Sequence, residues 1–288
     1  MKVVRNMKKI KKEICVSLNN RFFLIPLFVL STVSLLQCIE AVSMFHNYLT
    51  MISDKKETLN TGYPIYTSFN LWIGNSKSTY STVFFIIAPL LASTPFSWSY
   101  VRDLKKGVFQ YERDVRKNIV YRMVAVFVSS GLICVIPLII NFVLISVFVP
   151  SFVPDSIYDI NYGIFSNNMM GIIFYRYPFA YILVYIIMSY GLNGSLGCLG
   201  LSISTISQSK TVAILFPSLL FWVVESLKNN LYVWTNREII TTSFFTANRP
   251  QFDNCFMITI ELGLDILLTL LFFLIGLRGE RMKDEESN

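Results

Sequence analysis

Charge-free apolar runs alternate with short charged stretches along this chain. Residues 22–39, 78–101, 123–154 and 177–209 contain no Asp, Glu, Lys or Arg. A helix needs roughly 20 apolar residues to cross about 30 Å of hydrocarbon, and these runs are long enough. Two more, 211–227 and 255–277, are as apolar except for acidic residues inside them. The pattern predicts an all-α membrane protein with six transmembrane helices, near 22–45, 79–100, 123–149, 177–204, 211–227 and 255–277. Pro137 and Pro217 interrupt the third and fifth spans, kinks that neighbouring helices must accommodate.

The stretches between spans carry patterns of their own. In residues 1–20, Val3, Met7, Ile10, Ile14 and Leu18 recur at helical spacing, while Lys8, Lys9, Lys11 and Lys12 crowd the other side. Such a helix lies in the headgroup plane, so an N-terminal amphipathic interfacial helix is expected. In residues 101–122, Leu104, Val108, Tyr111 and Val115 share one helical face, and Gly107 weakens or breaks that helix. Residues 46–77 read as a polar, turn-rich outer segment, and 150–176 as a second one. The second carries Tyr158, Tyr162, Phe165 and Tyr175, which suit a membrane–water boundary. Residues 228–254 hold apolar clusters awkward in water, which suits outer re-entrant helices before the last span.

Composition sharpens this picture. Hydrophobic residues make up 53% of the chain and charged residues only 15%, against about 25% in an ordinary soluble domain. The stretches outside the spans are too short for a second core, so residues 1–288 read as one transmembrane domain. The net charge of +7 could suggest nucleic acid, but its placement argues for a lipid partner instead. With the N-terminus inside, 18 of the 25 Lys and Arg fall on inner segments. That bias predicts a multi-pass protein of the cell membrane with both termini cytoplasmic. No small-residue cleavage site follows the first apolar run, so it is read as a span rather than a signal peptide. The five cysteines read as small packing residues rather than a disulfide set.

Candidate chemistry is sparse. The single histidine, His46, leaves no metal cluster or His-based catalytic pair in prospect, and no phosphate-cradling G-x-x-x-x-G-K-[ST] loop occurs. The chain is not expected to be an enzyme or to hold a cofactor. ATP and magnesium, if they drive it, would be held by a partner ATPase.

Acidic residues inside spans are the first functional candidates, because a charge in lipid is costly and faces protein or a watery cavity. Glu225 lies about 21 Å along span five, and Glu261 and Asp265 sit on one face of span six roughly 10 and 16 Å deep, at about 1.5 Å per residue. Glu40 lies near the outer end of span one. Together the four could line an outward pathway or gate for cationic or amphipathic cargo. Alternatively, they hydrogen-bond the irregular backbone of 228–254. A second candidate is the small-residue run with Gly191, Gly194, Gly197 and Gly200, read as close helix packing. The third is the 101–122 segment, whose apolar face could dock into a partner's groove.

One stretch reads Ser99-Tyr100-Val101-Arg102-Asp103-Leu104-Lys105-Lys106-Gly107, followed by Arg113, Arg116 and Tyr121. With the basic N-terminal helix, the broken segment before span six and, more weakly, residues 210–217, it resembles the ABC type-2 membrane family, the six-helix permease subunits of bacterial ABC exporters. The resemblance covers nearly the whole chain as a layout and rests on architecture rather than one specific motif. It implies a homodimer or heterodimer with a second permease, above a cytoplasmic ABC ATPase dimer. It also implies a coupling helix carrying Asp103, Lys106, Gly107, Arg113 and Arg116, with cargo such as peptides, drugs or lipids in efflux. Two alternatives stay open: an ion-coupled carrier using the membrane acids, and a membrane peptide-binding immunity protein.

Overall fold

The computed structural model describes residues 2–54, 66–95, 115–166, 170–207, 209–235, 263, 266–272 and 274–275. All regular structure among them is helical. In chain order the helices are α1 (Lys2–Leu18), α2 (Arg21–Asp54), α3 (Ser68–Leu71), α4 (Thr79–Ala92) and α5 (Val115–Phe148). A 3-10 turn (Ser156–Tyr158) leads into α6 (Asp159–Tyr162), followed by α7 (Gly171–Arg176), α8 (Pro178–Ser207) and α9 (Lys210–Thr235). Residues 266–272 are also helical.

Among the described residues, three helices are long and apolar enough to cross a membrane: Arg21–Ser53, Val120–Phe148 and Pro178–Ser204. In hydrocarbon each backbone amide must find its partner within the segment, which a helix alone provides for a single strand of chain. Two shorter apolar helices, Thr79–Ala92 and Lys210–Val223, pack among them. Large apolar side chains such as Phe28, Ile39, Val143, Leu183 and Ile187 point outward from the long helices. That belt would be a liability in water and is the expected surface in lipid.

Contacts fix the direction of each helix. Ser34 and Gln37 of α2 meet Pro137 and Asn141 of α5, so these two run parallel. Cys198 of α8 reaches the Met123 carbonyl of α5, and Phe127 stacks edge-on against Tyr190, so α8 runs antiparallel to α5. Ser93, just past α4, donates to the Ile214 carbonyl near the start of α9. One end of the bundle therefore gathers α1, the starts of α2, α5 and α9, and the ends of α4 and α8. At this end Ile14 of α1 packs with Met123, and Glu13 lies 3.9 Å from Arg122.

Three elements differ from the sequence expectation. Residues 228–235, expected to open a re-entrant segment, instead continue α9 as helix to Thr235. The outer segment expected from residue 46 begins later, because α2 continues to Asp54. Nothing between His46 and Asp54 breaks a helix, since neither Gly nor Pro occurs there. Third, residues 115–122 are not a free-standing segment but the opening turns of α5.

Candidate functional site

The end of the bundle remote from α1 is closed by a stretch that the hydrophobic pattern marks as a loop. From Thr67 to Asn75 it is almost wholly buried, with Phe69, Trp72 and Ile73 among the most enclosed side chains of the molecule. Thr67 and Asn70 start α3 with a capping box, the Thr67 amide donating to Asn70 Oδ1 at 2.7 Å. The chain then turns through Trp72-Ile73-Gly74-Asn75, and Asn75 Nδ2 holds the turn by donating to the Phe69 carbonyl at 2.7 Å. Gly74 is required here, because a Cβ would meet the Trp72 ring within 3 Å. Ser78 caps α4, accepting from the Ser81 amide at 3.0 Å. The result is a plug of irregular backbone pushed down between helices.

Such backbone is tolerated at that depth only when protein satisfies it, and α2 and α5 supply the partners. Asn141 of α5 is the centre. Its Nδ2 donates to Gln37 Oε1 at 2.7 Å and to the Ser34 carbonyl at 2.9 Å. Its Oδ1 accepts from the Ile73 amide at 3.0 Å. Gln37 Nε2 donates to the Leu71 carbonyl at 2.9 Å. Trp72 Nε1 donates to the Leu138 carbonyl at 3.0 Å, and Ser81 of α4 to the Ile73 carbonyl at 2.6 Å. Ser34 Oγ donates to the Pro137 carbonyl at 3.0 Å. Asn141 lies seven residues before the end of α5 at Phe148, so the plug reaches about 10 Å below that end at roughly 1.5 Å per residue.

Aromatic rings seal the plug from above. Phe69 packs edge-on against Phe179 at 4.9 Å and beside Phe142 at 5.7 Å. Nearby, Phe174 contacts Tyr162, Tyr175 and Tyr181. Tyr175 donates its hydroxyl to the Ile164 carbonyl. Burial pushes the Tyr162 phenol up to about 12, with the nearby Tyr158 and Asp155 charges adding to it, and raises Tyr175 as well.

The expected site residues fall around this arrangement as follows. Glu40 follows Gln37 by one turn on α2, with Oε2 buried and without a hydrogen-bond partner among the described residues. Glu225 falls on α9, its side chain outside the described residues, as is that of Arg116 at the start of α5. Asp103, Lys106, Gly107, Arg113, Glu261 and Asp265 lie outside the described residues, as do 236–254 of the expected re-entrant segment. Gly194 and Gly197 face α5, where a Cβ would meet the Phe127 ring at 2.8 Å and the Ser130 side chain respectively. Gly131 reciprocates from α5 beneath Tyr190. At Gly191 a Cβ would meet nothing within 4 Å, and Gly200 is buried. The residues that sequence reasoning overlooked are Gln37, Asn141 and Trp72. Their signal was present: Gln37 and Asn141 are amides inside charge-free apolar runs.

Comparison with protein-family models, with curated proteins and with solved structures gives no match.

Proposed function

We propose that this chain is the permease subunit of an ATP-driven exporter, moving an amphipathic or cationic cargo out of the cell. It would pair with a second permease and be worked by a separate cytoplasmic ABC ATPase dimer. The observation that carries the reading is the grouping at the α1 end. The lysine-rich α1 docks on the start of α5 there, and α4 ends and α5 begins there. The sequence between them carries Arg102, Lys105, Lys106 and Arg113, as α1 carries Lys8, Lys9, Lys11 and Lys12. Positive charge gathers on the cytoplasmic face of membrane proteins. That face is the one an ATPase would grip, and Asp103, Lys106, Gly107, Arg113 and Arg116 are the residues assigned to it. Residues 255–277 supply the sixth span. In this reading the plug closes the opposite end, and Glu40, Glu225, Glu261 and Asp265 are the residues assigned to the pathway.

The test is reconstitution with and without a cytoplasmic ABC ATPase co-expressed from the same source. A stable complex is expected, weakened by charge reversal at Asp103 or Arg113, with transport that stops when ATP hydrolysis is blocked. Transport driven by a pH gradient without any ATPase would replace this reading with a carrier. Binding of a peptide without transport would replace it with an immunity role.

A further inference from the structure

The apolar belt of α5 does not stop where the helix stops. Val147 and Phe148, its last two residues, are 70% and 60% exposed. Beyond them Phe152 and Val153 point outward, and then Ile157 and Ile160, at 79% and 76% exposed. The last two stand three residues apart across the 3-10 turn and α6, on one side. On the return, Ile172, Tyr177 and Phe179 continue the same character into the outward face of α8. The segment is nevertheless ordered from beneath: Tyr162 is buried against Phe174, and Asp155 caps the 3-10 turn by accepting from the Ile157 amide at 3.1 Å.

We propose that residues 152–160 are seated in the bilayer at the leaflet remote from α1, with Ile157 and Ile160 in the acyl boundary. The partner is lipid, and the proposal rests on the membrane-spanning reading of α2, α5 and α8. Continuity is the first argument, because the exposed residues extend a belt that already faces hydrocarbon. Polarity is the second. Asp155 and Ser156 are exposed between the apolar residues. A carboxylate keeps its water at headgroup level, whereas a covering protein surface would have to desolvate it. Tyr158 and Tyr177 supply the amphipathic rings found at such boundaries. The consequence reaches the plug: the Ser68 amide donates to the Pro150 carbonyl at 3.0 Å and the Ser68 and Ser151 hydroxyls meet at 2.8 Å. The lipid-seated segment and the plug are therefore tied at its root.

The experiment places single spin labels at Ile157→Cys, Ile160→Cys and Val143→Cys, in a chain whose Cys15 and Cys255 are replaced by serine. The full chain is reconstituted in phosphatidylcholine–phosphatidylglycerol vesicles, and collision with dissolved oxygen is compared with collision with an aqueous nickel chelate. Labels at 157 and 160 are expected to favour oxygen several-fold, as the label at 143, on the outward face of α5 five residues before its end, does. Preference for nickel at 157 and 160 while 143 keeps its lipid signature would overturn the seating alone. Shielding from both would overturn it in favour of a covering protein surface. Preference for nickel at 143 as well would overturn the membrane reading on which it stands.

Discussion

Asn141 of α5 and Gln37 of α2 meet amide to amide at 2.7 Å, both with no exposure at all, and between them they hold the backbone of a third segment. Each amide uses one end for the other and the remaining capacity for the plug, through Ile73 and Leu71. Replacing Asn141 with Leu keeps the branching of the side chain but strands the Ile73 amide and Gln37 Oε1. A buried polar group left without its partner costs about 1–3 kcal/mol. Asn141→Leu should lower the unfolding free energy in detergent micelles by at least that much, and an unfolding midpoint equal to the parent's would show that the lock is not a source of stability.

Trp72 separates packing from hydrogen bonding. Trp72→Phe retains most of the buried ring but loses the bond to the Leu138 carbonyl, a loss of about 1 kcal/mol. Trp72→Ala also empties the space beneath Phe69 and should cost about 3–5 kcal/mol. Equal midpoints for the two variants would contradict the placement of Trp72 in the core.

The glycines of α8 should respond in opposite directions. Gly197→Ala drives a methyl into Ser130 with the Ala92 carbonyl 3.2 Å behind it, and overpacking of this kind costs roughly 1–3 kcal/mol. Ser130→Ala should restore part of the loss. Gly191→Ala meets open space and gains up to about 1 kcal/mol of helix propensity. Thermal midpoints of the three variants in one detergent decide the matter; a destabilised Gly191→Ala would refute the assignment of faces.

Alkaline titration probes the aromatic seal. The Tyr162 phenol, raised by burial to about 12, ionises near 10 once unfolded. Its contribution to stability is complete below pH 10 and is lost as the pH climbs from 10 towards 12, because the unfolded chain gives up its proton first. Tyrosinate absorbance should therefore lag in the folded protein, and Tyr162→Phe should flatten the loss of stability over that window. A parent chain whose stability is level from pH 10 to 12 would count against a buried phenol.

The long helices were legible because lipid solvation demands long charge-free runs, and residues 22–39, 123–154 and 177–209 supply them. α1 was legible from Met7, Ile10 and Ile14 set against four lysines. The plug was not. Asn70, Gly74, Asn75 and Ser76 are turn formers, and local pattern cannot tell a loop in water from a loop held between helices. What distinguishes them is remote in sequence: an amide at 37 and another at 141. All four glycines of the small-residue run were read as close packing, and of these Gly194 and Gly197 make the close approach while Gly191 does not. Periodicity gives a face but not which part of it a neighbour covers.

Because α2 and α5 point the same way, the bonds from Ser34 to Pro137 and from Gln37 to Asn141 stand as successive rungs of one ladder. Sliding α5 along α2 by a single turn would unhook both rungs together and draw Leu138 and Asn141 away from Trp72 and Ile73 in the same stroke. The seating of the stopper is thus tied to the register of two helices that touch it from different sides.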